Sequence, residues 1–540
     1  MPPHMGDQDL WGNDRALRDW VSHHGANHHA EHLAQVGRLT GLDETFEKAN
    51  QANRFSPELR AFDRYGMRLN AVEFHPAYHD LMDLAISHQV NNFAWHNEGN
   101  AGHVGHSALT YMFSQPEGGM MCPMAMNYAV VPALRVSTQV AEEWMPRVLA
   151  NQYDQRDIPA TEKGGALIGM FMTEKQGGSD VRANSTIATP ATGNAGEGAH
   201  YLLTGHKFFC SAPMCDAFLV LAKTELGISC FLVPRWKPNG ERNDLFLQRM
   251  KDKLGNRSNA STEIEFQGTL GVMIGEEGEG IRTIMKMVTG NRLYCAMSSA
   301  GIMRQALVQA LHHTSHRSAF QKRLIHQPLM QNVLADLAVE VESALALGLR
   351  IARAMDSTSD PAEAALARIG TAVAKYWVTK RCPSLVVEAL ECHGGPGYVE
   401  ESIMPRLYRE APLNAIWEGS GNVMGLDVLR AMRREPETID VVLGELAKSR
   451  GNDTYLDSAI DALHQELSDS DAIEGRMRLF TEMMALTLQG ALLTSHAPSA
   501  VAEAFCASRL APRYRGAFGT LPKGCDLDAI IGRALPRETS

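Results

Sequence analysis

No stretch of the 540-residue sequence approaches the roughly 18 uninterrupted apolar residues that a membrane-spanning helix needs. Cysteine pairing motifs are missing too. The nine cysteines, Cys122, Cys210, Cys215, Cys230, Cys295, Cys382, Cys392, Cys506 and Cys525, form no CxxC pair. They lack the density of a disulfide scaffold, and their odd, scattered distribution suits a reducing compartment. The opening MPPHMGDQDLWGND has acids and prolines but no basic segment followed by an apolar one. No signal peptide is expected, and the expected location is cytoplasmic. Positive charge is not in excess: the formal net charge is −11. That excludes a surface basic all over, and leaves room for one basic patch. No internal repeat, low-complexity tract, helix-turn-helix or zinc finger is evident.

What remains is the composition of a soluble globular protein, 44% hydrophobic and 21% charged. The length exceeds one simple core, so several domains are expected. The first sixty residues are polar and turn-rich, with His23, His24, His28, His29 and His32 clustered. Metal binding is the alternative; the segment reads as solvated surface and no metal is expected. Helical spacing of apolar residues follows, as in YHDLMDLAISHQVNNFAW and YAVVPALRVSTQVAEEWMPRVL.

Near Ala166 the pattern changes. ALIGMFMTE, HYLLTGHKFF, AFLVLAKT and ISCFLVPR are short and β-branched or aromatic, and Gly, Asn and Pro separate them, as strands require. Helical periodicity returns at about Arg282 and holds to about Arg434, with one long run ending at Gly394-Gly395, where a positive φ stops a helix. The expected architecture is α+β and multidomain: a mostly helical domain over 1–165, a β-domain over 166–278, a helical bundle over 279–435 and a helical extension over 436–540.

Four segments carry candidate chemistry. In MTEKQGGSDV (172–181), Thr173 and Ser179 are short hydroxyls beside a Gly-Gly pair, where backbone N–H groups can approach a polar ligand. An ordinary β-turn is the alternative. In GHKFFCS (205–211), Phe209 and Ser211 offer a ring and a hydroxyl, or else a core aromatic. In HRSAFQKRLIHQP (316–328), Arg317 and Phe320 lie three apart on an expected helix, hence on one face. In HGGPGYVEESIMPRLYREAPLNAIWEGSGN (393–422), Glu418 lies between Trp417 and Gly419. Ser420 stands where it can cap the helix that follows. A glutamate before a helix is also simply favourable to the dipole.

These four segments, in this order, resemble signatures of the acyl-CoA dehydrogenase family across roughly residues 70–430. The resemblance implies that family's fold, a helical domain, a central β-domain and a helical bundle, and FAD as cofactor. It implies that Glu418 is the catalytic base. Cofactor contacts would come from Met172, Thr173, Gly178, Ser179, Phe209, Cys210, Ser211, Arg317, Phe320, Gln327, Gly394, Gly395, Trp417, Ser420 and Asn422. Two positions depart from the pattern: Gln321 replaces the family's glycine after Phe320, and Glu391 replaces a glutamine. Asn291, where some branched-chain members carry an alternative carboxylate, is not acidic, so Glu418 has no rival.

KDKLGNRSNAS (251–261), EESIMPRLYRE, IWEGSGN and the carboxy-terminal extension resemble one branch of the family, that of the adaptive response to DNA alkylation. That likeness implies a homotetramer that binds double-stranded DNA through its last domain and protects it from, or detoxifies, alkylating agents. It also implies weak isovaleryl-CoA-like dehydrogenase activity. A metabolic dehydrogenase of short or branched acyl-CoAs, with no DNA role, is the alternative. Residues 431–540 carry 12 basic and 16 acidic residues, so the extension as a whole is not basic. Within it, 504–525 holds Arg509, Arg513, Arg515 and Lys523 and no acid. These four are the candidate phosphate contacts, or else a solvated basic face.

Overall fold

The computed structural model describes residues 2–469, 471–512 and 516–536. Two compact units emerge: Met1–Asp43 with Asn97–Pro116 and Arg292–Ser540, and Glu44–His96 with Glu117–Asn291.

The second unit is built on a seven-stranded sheet in the order β3-β6-β4-β5-β9-β7, with β8 paired to β9. The strands are β3 (Ile168–Phe171), β4 (Ile187–Pro190), β5 (His200–Ser211), β6 (Ala217–Thr224), β7 (Gly227–Pro234), β8 (Leu245–Met250) and β9 (Ser261–Ile274). Strands β6 and β7, AFLVLAKT and GISCFLVP, are apolar at nearly every position and buried on both faces. Their antiparallel pairing closes the strand path on itself. The amino-terminal half of β5 instead alternates, with Tyr201 and Leu203 buried and His200, Leu202 and Thr204 exposed. A further hairpin, β1 (Glu58–Phe62) with β2 (Arg68–Glu73), lies in the same unit. Its strands bury almost nothing, so they gave no periodic signal to read.

The first unit is helical, around Pro328–Asp356 and Pro361–Glu391. The second of these starts with Asp360 capping the Ala362 N–H and with Pro361 in the first turn. It stops where expected, since Gly394 adopts φ +63°. No helix among the described residues is long and apolar enough to cross a membrane.

The carboxy-terminal extension is tied into this helical core by buried charge. Arg509, expected to face phosphate, instead forms ion pairs with Asp336 and, at 3.0 Å, with Glu340. Arg381 reaches Glu340 at 3.0 Å, and the Phe518 ring lies against both guanidinium groups. The Gly519 N–H donates to Asp336 at 2.9 Å, and Asn332 exchanges two hydrogen bonds with the Leu521 backbone. Farther on, Arg533 forks onto Glu342. Arg509 therefore has an internal role, because two buried carboxylates require its charge. Arg513 and Arg515 lie outside the described residues, and Lys523 is exposed.

Burial opposes ionisation of Glu340, but Arg381 and Arg509 outweigh it and hold the carboxyl at about 2. A depressed carboxyl contributes stability that is complete above its ordinary value near 4.5 and lost as pH falls toward about 2. Arg509→Ala should cost about 3 kcal/mol by leaving two buried carboxylates short of a cation. Equilibrium denaturation checks this, and the gap between variant and parent should narrow across that acid window. An unchanged midpoint at neutral pH would rule out the internal role.

Candidate functional site

In the helical unit, Glu418 sits on a turn that its own backbone does not favour. Its φ is +57°, and Gly419 follows at +107°. A non-glycine residue there is strained by about 1–3 kcal/mol and persists only if its surroundings impose it. They do, through cations. Lys375, 1% exposed, donates from Nζ to the Trp417 carbonyl at 2.8 Å and also to the Gly419 carbonyl. The Arg292 Nε donates to the Glu418 carbonyl at 3.1 Å. Three successive carbonyls thus meet positive charge.

Arg292 is itself held by Asp427 at 2.8 Å, and Asp427 also pairs with Arg368 and Arg430. Burial works against the Asp427 charge, but Arg292 and Arg368 hold its carboxyl below the usual range. Burial pushes the Lys375 pKa down, while Cys295 and Glu418 pull it up. The φ of Gly419 is one that side-chain-bearing residues rarely adopt, so the turn favours glycine there; the Met424 methyl, 2.5 Å from a would-be Cβ, is a flexible end that can give way. The Trp417 indole donates to Asn414 at 2.8 Å, and Asn414 to Ser299 at 3.1 Å.

Ser420 occupies the N-cap of helix Gly421–Arg434 as expected, but its side chain makes no capping bond. The first turn of that helix holds no acid, and two cations flank it. Lys380 stands 3.0 Å from where a Gly421 Cβ would be, and Arg478 donates to Asn422 at 3.4 Å. The result is an electropositive helix end, suited to an oxyanion. Gly394 and Gly395 are exposed, with no heavy atom within 4 Å of a would-be Cβ. The neighbouring Glu391 is exposed.

The expected helix through Arg317 and Phe320 is absent. Helix Gly280–His316 ends first, and a two-stranded hairpin follows, β10 (Ser318–Ala319) with β11 (Lys322–Arg323). Phe320 and Gln321 form its tip at φ +51° and +63°, both left-handed. The family's glycine suits such a φ, and Gln321 adopts it without glycine's freedom. Phe320 is 95% exposed, Arg317 is exposed, and the Gln327 amide ties the hairpin by donating to the Ala319 carbonyl at 3.1 Å.

In the sheet unit, Thr173 bridges to Phe209, whose ring is 43% exposed. Cys210 is wholly buried, because alternation along β5 turns it to the face opposite Phe209 and Ser211, and its thiol cannot join them. Gly178 and Ser179 are exposed, and the Met172 carbonyl accepts from Asn184 at 2.8 Å. Sequence reasoning missed the anchor of this loop. Glu174 takes bonds from Lys207 at 2.7 Å and from the backbone and hydroxyls of Ser185 and Thr186. Burial opposes its charge, yet Lys207 and these donors hold it at about 2. Lys375 and Arg292 were missed as well; the signal available was a lysine inside the apolar run AVAKYWV. Among the described residues no cluster is fit for a metal ion, the amino-terminal histidines included.

Comparison with known proteins accounts for this combination of features. Residues 1–155 match the adaptive response protein AidB N-terminal domain. Residues 169–269 and 278–433 match the middle and C-terminal domains of acyl-CoA dehydrogenases. The chain is 42% identical to the putative acyl-CoA dehydrogenase AidB of Escherichia coli, over 94% of this chain and 92% of that one. It is similar to Caenorhabditis elegans ACDH-11, solved in complex with C11-CoA, at 25% identity and a TM-score of 0.86, covering 95% of this chain and 93% of the other. An acyl-CoA dehydrogenase of Bacillus anthracis, complexed with FAD, shares the fold at 17% identity and a TM-score of 0.60, over 80% and 82% of the two chains. The chain belongs to the acyl-CoA dehydrogenase family, a family of FAD-dependent oxidoreductases, as an AidB-type member.

Proposed function

We propose that this chain is an FAD-dependent oxidoreductase with weak acyl-CoA dehydrogenase activity that also binds double-stranded DNA and protects it against alkylation. The observation that carries the chemical half is the Glu418 turn. A strained, cation-clamped turn fixes the backbone from which the Glu418 side chain projects, a fixed starting point that a general base needs. The residues present fit the cofactor. Phe209 is an exposed ring with a hydroxyl two residues on, suited to the flavin ring, and Thr173 and Ser179 stand on the loop that Glu174 anchors. In the helical unit taken by itself, the end of helix Gly421–Arg434, with Lys380 and Arg478, suits an oxyanion such as a phosphate, and the open Gly394-Gly395 backbone admits close approach of a ligand.

When bound, FAD supplies acceptance of a hydride from the β-carbon of an acyl thioester. Glu418 takes the α-proton through its carboxylate. Lys375 and Arg292 fix the three carbonyls beneath it, so the base need not reorganise as it reacts. The C11-CoA complex of the nematode relative supports an acyl-CoA as substrate class.

The DNA half is supported by the likeness to AidB along nearly the whole chain. The extension over 436–540 is the proposed DNA-binding domain, with Arg513, Arg515 and Lys523 as its contacts and Arg509 excluded by its ion pairs. Assembly as a homotetramer would multiply these contacts, so that weak single sites act together.

Anaerobic mixing with a panel of short, branched and medium-chain acyl-CoAs should bleach the visible flavin band. Glu418→Gln should retain FAD and slow bleaching by at least about a hundredfold, the contribution of a general base. Bleaching that survives the substitution would remove Glu418 from the mechanism. Lys375→Met should cost about 2 kcal/mol in denaturant unfolding, by stranding the Trp417 and Gly419 carbonyls, and should slow bleaching more than it lowers FAD content. Loss of FAD in proportion to rate would reduce Lys375 to a merely structural role. In a salt series, Arg513→Glu with Arg515→Glu should weaken duplex binding and flatten its salt dependence. Parent-like binding by this variant and by Lys523→Glu would leave the metabolic-dehydrogenase reading.

A further inference from the structure

The segment KDKLGNRSNAS has no part in the chemistry above, yet it contains a directional hydrogen-bond chain. Lys253 donates from Nζ to the Asn259 carbonyl at 2.7 Å, to Ser261 Oγ at 3.1 Å and to Asn256 Oδ1 at 3.4 Å. An ammonium has three N–H donors and no acceptor, so Ser261 Oγ must be the accepting partner of its bond. Ser261 is 2% exposed and stands directly opposite Ser211, across the β9–β5 pairing. The two hydroxyl oxygens are 3.2 Å apart.

That geometry biases the sense of the second bond. One lone pair of Ser261 is engaged by the ammonium, and a buried hydroxyl proton requires an acceptor. Ser211 Oγ provides it. In that sense Ser211 accepts from Ser261, and its own proton is left free to serve the face of β5 that also carries the exposed Phe209. The nearby Lys251 is not the source of this polarity, since its ammonium pairs with Glu263 at 2.6 Å.

We propose that Lys253, acting through Ser261, fixes Ser211 as a hydrogen-bond donor toward an acceptor on the flavin ring, and is thus a positioning residue for the cofactor. The proposal rests on the assignment of FAD to this chain. It concerns the direction of a bond, not merely its presence. Without the cation, two facing serines can donate in either sense, and half of those arrangements turn a lone pair toward the flavin's acceptor edge. With it, the sense in which Ser261 donates and Ser211 accepts is favoured, because the ammonium already occupies one acceptor site of Ser261.

The experiment is a double-mutant cycle on the full chain, reading the FAD dissociation constant of the apoprotein and the position of the bound flavin's visible band. Ser261→Ala, Lys253→Met and Ser211→Ala should each weaken FAD binding by about tenfold, the scale of one hydrogen bond with charge behind it, and shift the band. In the Ser211→Ala background, Ser261→Ala and Lys253→Met should weaken binding no further. Lys253→Met also breaks the loop's internal bonds. The decisive variant is therefore Ser261→Ala, which keeps Lys253 on Asn259 and Asn256; melting of the apoproteins establishes that both fold. A Ser261→Ala protein with parent-like affinity and band, or one that loses as much affinity without Ser211 as with it, would overturn the relay alone. Failure of the unsubstituted chain to take up FAD would overturn the cofactor assignment and the relay together.

Discussion

The acid–base chemistry proposed for the helical unit depends on the cations beneath the Glu418 turn. A glutamate at φ +57° is costly, and the preceding and following carbonyls point where a helix or strand would not leave them. Lys375 and Arg292 turn that cost into a fixed orientation by meeting the carbonyls of Trp417, Glu418 and Gly419 with positive charge. The arrangement is itself supported. Asp427 holds Arg292 in place, and the Lys375 ammonium sits on a long helix whose other buried positions are mostly apolar. A buried lysine with no acceptor would shed its proton, so turn and lysine stabilise each other.

The same device recurs at two other places. Lys207 and Glu174 bury a charge pair beneath the 172–179 loop, and Arg509 buries its charge between Asp336 and Glu340 beneath the extension. Replacing such pairs by apolar groups is often neutral for stability, but removing one partner is severe. What they provide here is position. Each pair anchors an irregular segment, which has no helical or sheet ladder of its own, to a regular element. The loop and turn that carry candidate chemistry are the segments with least intrinsic preference for one conformation, and both are secured this way.

This explains what was legible in the sequence. Strands β6 and β7 and the long helices announce themselves, because burial imposes a period on their composition. The Gly394 stop was legible because glycine is the residue that such a φ favours. The hairpin at Phe320 and Gln321 was not, because the left-handed φ values occur on residues that carry no such mark, and spacing alone suggested a helix. Arg509 misled for a different reason. A cluster of basic residues without acids in the local sequence looks solvated, but its counter-ions come from a helix more than 160 residues earlier, and no local count reveals them. Lys375 and Lys253 were hidden likewise: their partners are backbone carbonyls and hydroxyls, groups that every segment possesses.

The internal role of Arg509 bears on how the two proposed activities relate. An extension that merely carried a nucleic-acid surface would need only to be tethered. This one inserts Arg509, Phe518 and the Gly519-Thr520 backbone against helices Pro328–Asp356 and Pro361–Glu391. The second of those helices also carries Lys375 and Lys380. Arg381, one residue beyond Lys380, is shared with the clamp on Glu340. Docking of the extension and support of the Glu418 turn therefore draw on one rigid helix. A chain lacking the extension would leave Asp336 and Glu340, on helix Pro328–Asp356, without the Arg509 charge, and Arg381, on the helix that carries Lys375, would remain as the Glu340 partner. The charges that hold the Glu418 turn, Lys375 and Arg292, thus belong to the same helical unit on which the extension is built.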